Sequence, residues 1–525
     1  MDSGIIETKN YRKPKKPKLT KKKKIAITAA ASVASVCIGA VGFWFLHPHQ
    51  FVEWQTVKAP TCTENGEGIF KCFCGKTEER VLPPEHSEVI DLGYAATKTE
   101  DGLTDGSHCK VCNEIIEAQK VIHAGSQGLG YKVISDNACE ITGKGTCADT
   151  EIVIPQYING YEVTSIGEDA FKYHSGLTDI KLPEGVTSIG DYAFYKCSGL
   201  TSITIPKGVT SIGDYALSGC SSLEAIQVSN DNTTFKSIDG VMLTNSGDTI
   251  VCYPAGKAGA HYVIPEGVTS IGDYAFIYCS RLTGVTIPEG VTSIGNAAFG
   301  ECSGLSGITI PKSVTSIGDY AFVYCSGLSS VTIPEGITSI GVAVFGGCTC
   351  LEGIQVSNGN STFKSIDGVM FTNSGDTIVC YPAGKAGAHY VIPESVTSID
   401  DYAFAYCSGL TGVTIPEGVI SIGNAAFAEC RGLTSVTIPE GVTSIGNDAF
   451  VECTGLAGIT IPQSLISIGE YAFDGSRLAS ITYAGSVEEW NNIKKMEKWN
   501  IGIYTYCEIY CTDGTILSDG TVTYN

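Results

Sequence analysis

"IPEGVTSIGDYAFIYCSRLTGVT", residues 264–286, is one of a long series of near-copies, and its reading decides the fold. The proline of the unit recurs at Pro183, Pro206, Pro265, Pro288, Pro311, Pro334, Pro393, Pro416, Pro439 and Pro462, in steps of 23 residues broken twice by steps of 59. A phenylalanine keeps the same rhythm, starting at Phe171 and ending at Phe473, with Leu217 standing in once, which makes eleven units. A repeat of this period marks a stacked array in which each unit contacts only its neighbours.

The apolar positions show how one unit packs on the next. In "LTGVTIP", residues 282–288, Val285 and Ile287 point to one side of a short strand, and Gly284 and Thr286 point to the other. Pro288 has no N–H to give and ends the strand, and the Glu-Gly after it suits a turn. Val291, Ile294, Ala298, Phe299 and Cys302 are further inward candidates. No unit can bury that apolar side alone; stacking buries it as a continuous core, the logic of a solenoid. Each step of 59 holds a regular unit plus 36 more residues, and the two insertions, 228–265 and 356–393, differ at three positions. Cys220 and Cys348, Cys279 and Cys407, and Cys302 and Cys430 are all 128 residues apart, so a long block is duplicated.

The unit L-x-x-[IV]-x-I-P-x-[GS]-[VI]-x-[ST]-I-[GD]-x-x-A-F-x-x-C resembles the BspA-like leucine-rich repeat family of bacterial and protist surface proteins, over about residues 151–485. The "FKSIDGVM" and "IVCYPAGK" of the insertions resemble longer units of that family, and "EIVIPQYINGYEVTSIGEDAF" is similar to its opening unit. The tail "ITYAGSVEEWNNIKKMEKWN" resembles its closing segment, in which Trp490 and Trp499 would cover the last turn. The resemblance implies a β-rich α/β solenoid, a right-handed leucine-rich-repeat-type stack of 23-residue units. It also implies adhesion to host proteins or neighbouring cells.

Charge is distributed unevenly around this array. The chain of 525 residues carries a net charge of −21, yet residues 1–24 hold ten Lys/Arg against Asp2 and Glu7. An acidic bulk gives no reason to expect a nucleic-acid partner. The basic head is explained by the segment next to it. Residues 25–46, opening on Ile25 and closing on Leu46, carry no charge and are long enough to cross a bilayer. Phe43 and Trp44 stand where an interfacial aromatic belt belongs, and the lysines hold the N-terminus in the cytoplasm. The run ends in Phe-Trp-Phe-Leu, a poor cleavage site, so an uncleaved signal anchor is expected rather than a removed leader. The expected order is a cytoplasmic tail (1–24), a transmembrane helix (25–46) and a Cys/His-containing module of two degenerate copies (47–124). A solenoid cap (125–160), the repeats (161–485) and a closing cap (486–525) come after it, all on the extracellular side of the cell membrane.

Cysteine recurs throughout. Cys197, Cys220, Cys279, Cys302, Cys325, Cys348, Cys407, Cys430 and Cys453 hold one position of the unit, which is His174 in the first copy and Ser476 in the last. No His or carboxylate recurs beside them to complete a metal site, so they are expected to fill a narrow interior slot as small apolar side chains. The module differs. Cys72, Cys74, Cys109 and Cys112 have knuckle-like spacing and could hold one zinc, or each copy could recruit Cys62, His86, His108 or His123. Where the first copy has Cys62 the second has Lys98, and in an exported chain disulfides compete with zinc, so both readings stay open. Cys139 with Cys147 and Cys507 with Cys511 are further disulfide candidates.

Catalytic motifs are missing: the sequence has no Gly-x-Ser-x-Gly, no His-Glu-x-x-His and no phosphate-binding glycine loop, so no enzyme is expected. The recurrent Asp of "IGD" reads as a solvated turn residue, and "NTT" at Asn232 and "NST" at Asn360 fit a glycosylation acceptor. What remains is surface. Thr286, Thr309, Thr332, Thr414, Thr437 and Thr460 form an outward row flanked by Gly or Ser, which ordinary strand propensity also explains. The tyrosines Tyr274, Tyr278, Tyr320, Tyr324, Tyr402 and Tyr406 form a second outward candidate. The reading is a membrane-anchored extracellular repeat protein that contacts extracellular proteins or neighbouring cell surfaces. The alternatives are a spacer rod without a specific ligand, or a zinc-binding function in residues 54–123.

Overall fold

The structure is a computed structural model, and it describes residues 51–62, 64–72, 75–82, 85–499 and 507–525. The expected cytoplasmic tail and the candidate transmembrane segment 25–46 lie outside the described residues. Among the described residues no helix is long and apolar enough to cross a membrane.

The described residues divide into two compact units, one within residues 51–88 with 109–114, the other within residues 89–108 with 115–525. The first is built on an antiparallel sheet of Phe51–Lys58, Gly66–Cys72 and Thr77–Leu82. The second of these strands reverses into the third through a turn closed by the Gly75 amide on the Cys72 carbonyl, 2.8 Å.

The second unit is the solenoid. The Ser-Ile pairs of successive units, Ser270–Ile271, Ser293–Ile294, Ser316–Ile317 and Ser339–Ile340, pair in parallel with isoleucine opposite isoleucine. A second parallel ladder runs through the Val-Thr strands, as in Gly412–Thr414, Ser435–Thr437 and Gly458–Ile461. Between the two ladders the phenylalanines stack face to face: Phe276 on Phe299 at 4.9 Å, Phe299 on Phe322 at 5.2 Å and Phe322 on Phe345 at 5.5 Å. The ring spacing is close to the distance between strands, so one aromatic column follows the stack with every ring buried. Hydroxyls tie the turns on the outside. Thr292 donates to the Thr269 carbonyl at 3.1 Å and Thr315 to that of Thr292 at 3.2 Å, each bond linking one unit to the next in register.

The α part of the expected α/β solenoid is corrected. The only α-helix among the described residues is Val487–Asn492; the segment opposite the strands is a run of turns. The reason is local. Tyr274 and Tyr278 both adopt left-handed backbone, φ 59° and 62°, as do Tyr320, Tyr324, Tyr402 and Tyr406 in their units. Two left-handed residues four apart prevent a right-handed helix from propagating.

The insertions act as partitions in the core. Phe235–Ile238, Val241–Thr244 and Thr249–Cys252 form an antiparallel meander whose last strand joins the parallel stack at Ser270–Ile271. Val241, Met242 and Leu243 are all fully buried, because the strand has core on both faces: Met242 packs with the preceding units, Val241 and Leu243 with the following ones. At the far end Ser486 and Glu489 form a capping box on the Val487–Asn492 helix, which lays Trp490 against Tyr483 at 5.3 Å. Trp499 stands edge-on to Phe473, the last ring of the column, at 6.3 Å.

Candidate functional site

The outward side of the Val-Thr ladder is the first candidate surface. Thr286, Thr309, Thr332, Thr414 and Thr437 are exposed and Thr460 is half-buried, with Thr286 bridged to Thr309 and Thr414 in register with Thr437. Each half of the duplicated block begins this row with a histidine. His261 Nε2 lies 2.9 Å from Thr286 Oγ1, and His389 Nε2 lies 2.8 Å from Thr414 Oγ1. The glycine between them has a steric purpose. A Cβ on Gly284 would sit 2.8 Å from His261 Nδ1, and one on Gly412 would sit 2.6 Å from His389 Nδ1, so only glycine lets the imidazole lie over the strand. The result is two similar shallow troughs of about 630 and 560 Å³, one bordered by His261, Thr286, Thr309 and Thr332, the other by His389, Thr414 and Thr437.

The tyrosines are placed differently from a free aromatic face. Tyr278 shares a 2.7 Å hydroxyl contact with Tyr195, Tyr324 packs edge-on to Tyr406 at 5.1 Å, and Tyr320 to Tyr402 at 5.8 Å. Each of these pairs reaches across a unit that lacks the tyrosine. In the one between Tyr324 and Tyr406, a Cβ on Gly346 would lie 2.6 Å from the Tyr406 ring and one on Gly347 2.4 Å from the Tyr324 ring. These rings are largely engaged with one another, and Tyr324 at 36% is the most exposed of the three Tyr278-type residues.

All nine ladder thiols are buried. They do more than fill space. Cys302 donates its S–H to the Phe276 carbonyl of the preceding unit at 3.0 Å, and Cys325 to Phe299 and Cys430 to Phe404 at the same distance. Burial pushes the Cys197 and Cys453 thiols up to about 12, and that of Cys302 well above its ordinary value. These are poor thiolates, held as donors. Cys139, Cys147, Cys507 and Cys511 are unbridged.

At the corners the structure extends one sequence reading and corrects another. Asp273 accepts the Asn296 amide at 2.6 Å, and Asn296 accepts the Asp319 amide at 2.9 Å. The "IGD" residue is exposed, as a solvated turn residue should be, and its side chain also forms a ladder to the next turn. Asn232 is buried, giving its amide hydrogens to the Pro206 and Val209 carbonyls and accepting from the Thr234 and Phe235 amides. Asn360 repeats this arrangement, so neither side chain is available as a glycan acceptor in the folded chain.

In the first unit one potential ligand atom from each of Cys62, His86, Cys109 and Cys112 lies within 4.8 Å of the others. Among the described residues Cys109 and Cys112 therefore meet Cys62 and His86, and not Cys72. Cys72 is buried in its strand and is not among the four, and Cys74 lies outside the described residues. The backbone N–H of Cys112 is the largest cause lowering the Cys109 thiol to about 6, whereas burial raises Cys62 to about 11. His108 and His123 face carboxylates instead, Asp91 at 2.9 Å and Asp101 at 3.7 Å, and Lys98 pairs with Asp149 at 3.5 Å.

A protein-family profile described as BspA type leucine rich repeat region matches residues 145–246, 258–377 and 386–494, in six copies. The chain belongs to the BspA-type leucine-rich repeat family. Among curated proteins none matches this BspA-type chain. Solved structures similar to it include a leucine-rich cell surface protein from Faecalibacterium prausnitzii, 29% identical, with 71% of this chain and 97% of that one covered and a TM-score of 0.41. A leucine-rich repeat protein from Bacteroides ovatus is 28% identical, with 72% and 98% covered and a TM-score of 0.34. The pneumococcal vaccine antigen PcpA is 20% identical, with 70% and 82% covered and a TM-score of 0.40.

Proposed function

We propose that this BspA-type chain is a non-catalytic, membrane-anchored protein that displays its solenoid outside the cell and binds extracellular proteins or neighbouring cell surfaces through the threonine face. The observation that carries this reading is the repeated trough. The duplication places the same His-Gly-Thr geometry twice along the stack, with exposed threonine hydroxyls beside each histidine. A partner with a repeating or extended surface would meet both troughs, and tethering converts two weak contacts into one strong one. The uncharged run 25–46 behind a lysine-rich head supports the anchoring part, with the N-terminus inside.

The tyrosine face supports a partner less well, because its rings already satisfy one another across the inserted units. The test is binding of the purified full chain to extracellular-matrix proteins and to whole cells. Saturable binding is expected, with Thr309→Lys or Thr437→Lys weakening it and the double variant abolishing it. Absence of binding to any partner leaves the chain as a spacer rod and overturns the reading.

A further inference from the structure

We infer that Cys62, His86, Cys109 and Cys112 hold a single structural zinc ion. Four donors that converge without a carboxylate among them make a closed site, the arrangement of structural rather than catalytic zinc. With Zn–S of about 2.3 Å and Zn–N of about 2.0 Å, tetrahedral donors sit about 3.5 to 3.8 Å apart. Cys112 Sγ and His86 Nδ1 are already 3.4 Å apart, and all four atoms lie within 4.8 Å of one another.

The surroundings are built around those atoms. The turn bearing two of the thiols is closed by the Cys109 amide on the Glu114 carbonyl and the Asn113 amide on the Cys109 carbonyl, both 2.8 Å, with Asn113 at φ 60°. It aims the Val111 amide at Cys109 Sγ, 3.4 Å away, the kind of N–H to sulfur contact that a metal-bound thiolate accepts. The imidazole is oriented from its far side. Glu114 Oε2 lies 3.3 Å from His86 Nε2, which leaves Nδ1 facing the thiols, and a carboxylate on the second nitrogen is the usual support for a zinc-bound histidine. Backbone bonds hold the three segments together beside the ligands: Glu85 amide to Thr61 carbonyl at 3.3 Å, and Lys110 amide to Ser87 carbonyl at 2.8 Å.

A disulfide accounts for this geometry poorly. It would consume two of three converging thiols and leave the third beside an imidazole whose orientation has no purpose. Soft thiolates with one imidazole select zinc among the common divalent ions.

The experiment is metal analysis of the full chain purified under reducing conditions from zinc-supplemented cells. One zinc per chain is expected. Cys62→Ser and Cys109→Ser each lose it, and Cys302→Ser in the solenoid keeps it. Cobalt substituted for zinc gives tetrahedral d–d bands with sulfur-to-cobalt charge transfer. Cys62→His, which preserves a donor, retains the metal with weaker charge transfer, so the result does not depend on a variant that merely misfolds. Substoichiometric zinc with a disulfide found by mass spectrometry overturns the inference. So does zinc that survives Cys62→Ser but is lost in Cys72→Ser, because the ligands would then be a different set.

Discussion

The solenoid and the Cys109 turn of the first unit use the same residue for opposite chemistry. Along the repeats a thiol is buried beside a backbone carbonyl, and burial keeps its proton on, as at Cys197 and Cys453. In the first unit Cys62, Cys109 and Cys112 converge on an imidazole, and backbone N–H groups face Cys109 sulfur. What differs is which effect wins: burial outweighs the backbone N–H that also faces Cys197 and Cys453, whereas at Cys109 the backbone N–H of Cys112 outweighs burial.

The largest effect expected from this contrast is alkaline collapse of the solenoid. Burial raises the folded values of Cys197 and Cys453 from the ordinary 9.0 to about 12 and that of Cys302 well above it. Below pH 9 their contribution to stability is complete. Above it the unfolded chain releases protons that the folded one keeps, so stability falls as pH rises from about 9 towards 12. Half-buried Tyr262, also raised to about 12 by its burial, acts in the same direction. Denaturant midpoints followed by circular dichroism from pH 7 to pH 11 should decline; a flat profile would contradict the burial of the thiol column.

Next in size is Phe299→Ala. It removes a ring stacked on both sides, at 4.9 and 5.2 Å, and should cost about 3 to 5 kcal/mol in solenoid stability while leaving zinc content unchanged. Loss of metal together with stability would show that the two regions do not behave independently. Native-state alkylation is a gentler probe. With metal chelated, half-buried Cys112 and the exposed Cys350 should react at least about a hundredfold faster than the ladder cysteines, read by mass spectrometry of peptides. Equal rates at Cys112 and Cys302 would erase the distinction. The smallest effect is that of Cys302→Ala, expected to cost about 1 kcal/mol, because the Phe276 carbonyl still accepts the Cys279 amide after the S–H is gone. A much larger loss would mean that the thiol ladder, rather than the phenylalanine column, carries the stack.

Much of the solenoid was legible because its constraint is periodic. Val285, Ile294, Phe299 and Cys302 are buried where the alternation of apolar residues puts them. The missing helices were not legible: "DYAFIYC" contains no Gly or Pro to break a helix, and it is the left-handed backbone at Tyr274 and Tyr278 that excludes one. The same holds for Asn232, whose side chain reads as an acceptor motif in one dimension and as a four-bonded buried bridge in three.

From the sequence alone came the repeat, its period, the two near-identical insertions and the direction in which each apolar residue points. These depend on short-range geometry, since each unit needs only its neighbour and every neighbour has the same text. Tertiary structure alone decided which cysteines meet. Cys62 and His86 lie on one copy of the module and Cys109 and Cys112 on the other, and spacing along the chain holds no information about which loop closes on which. It also decided why a glycine stands two residues before the first threonine of each trough: a histidine lies flat there, a contact between residues one full turn apart.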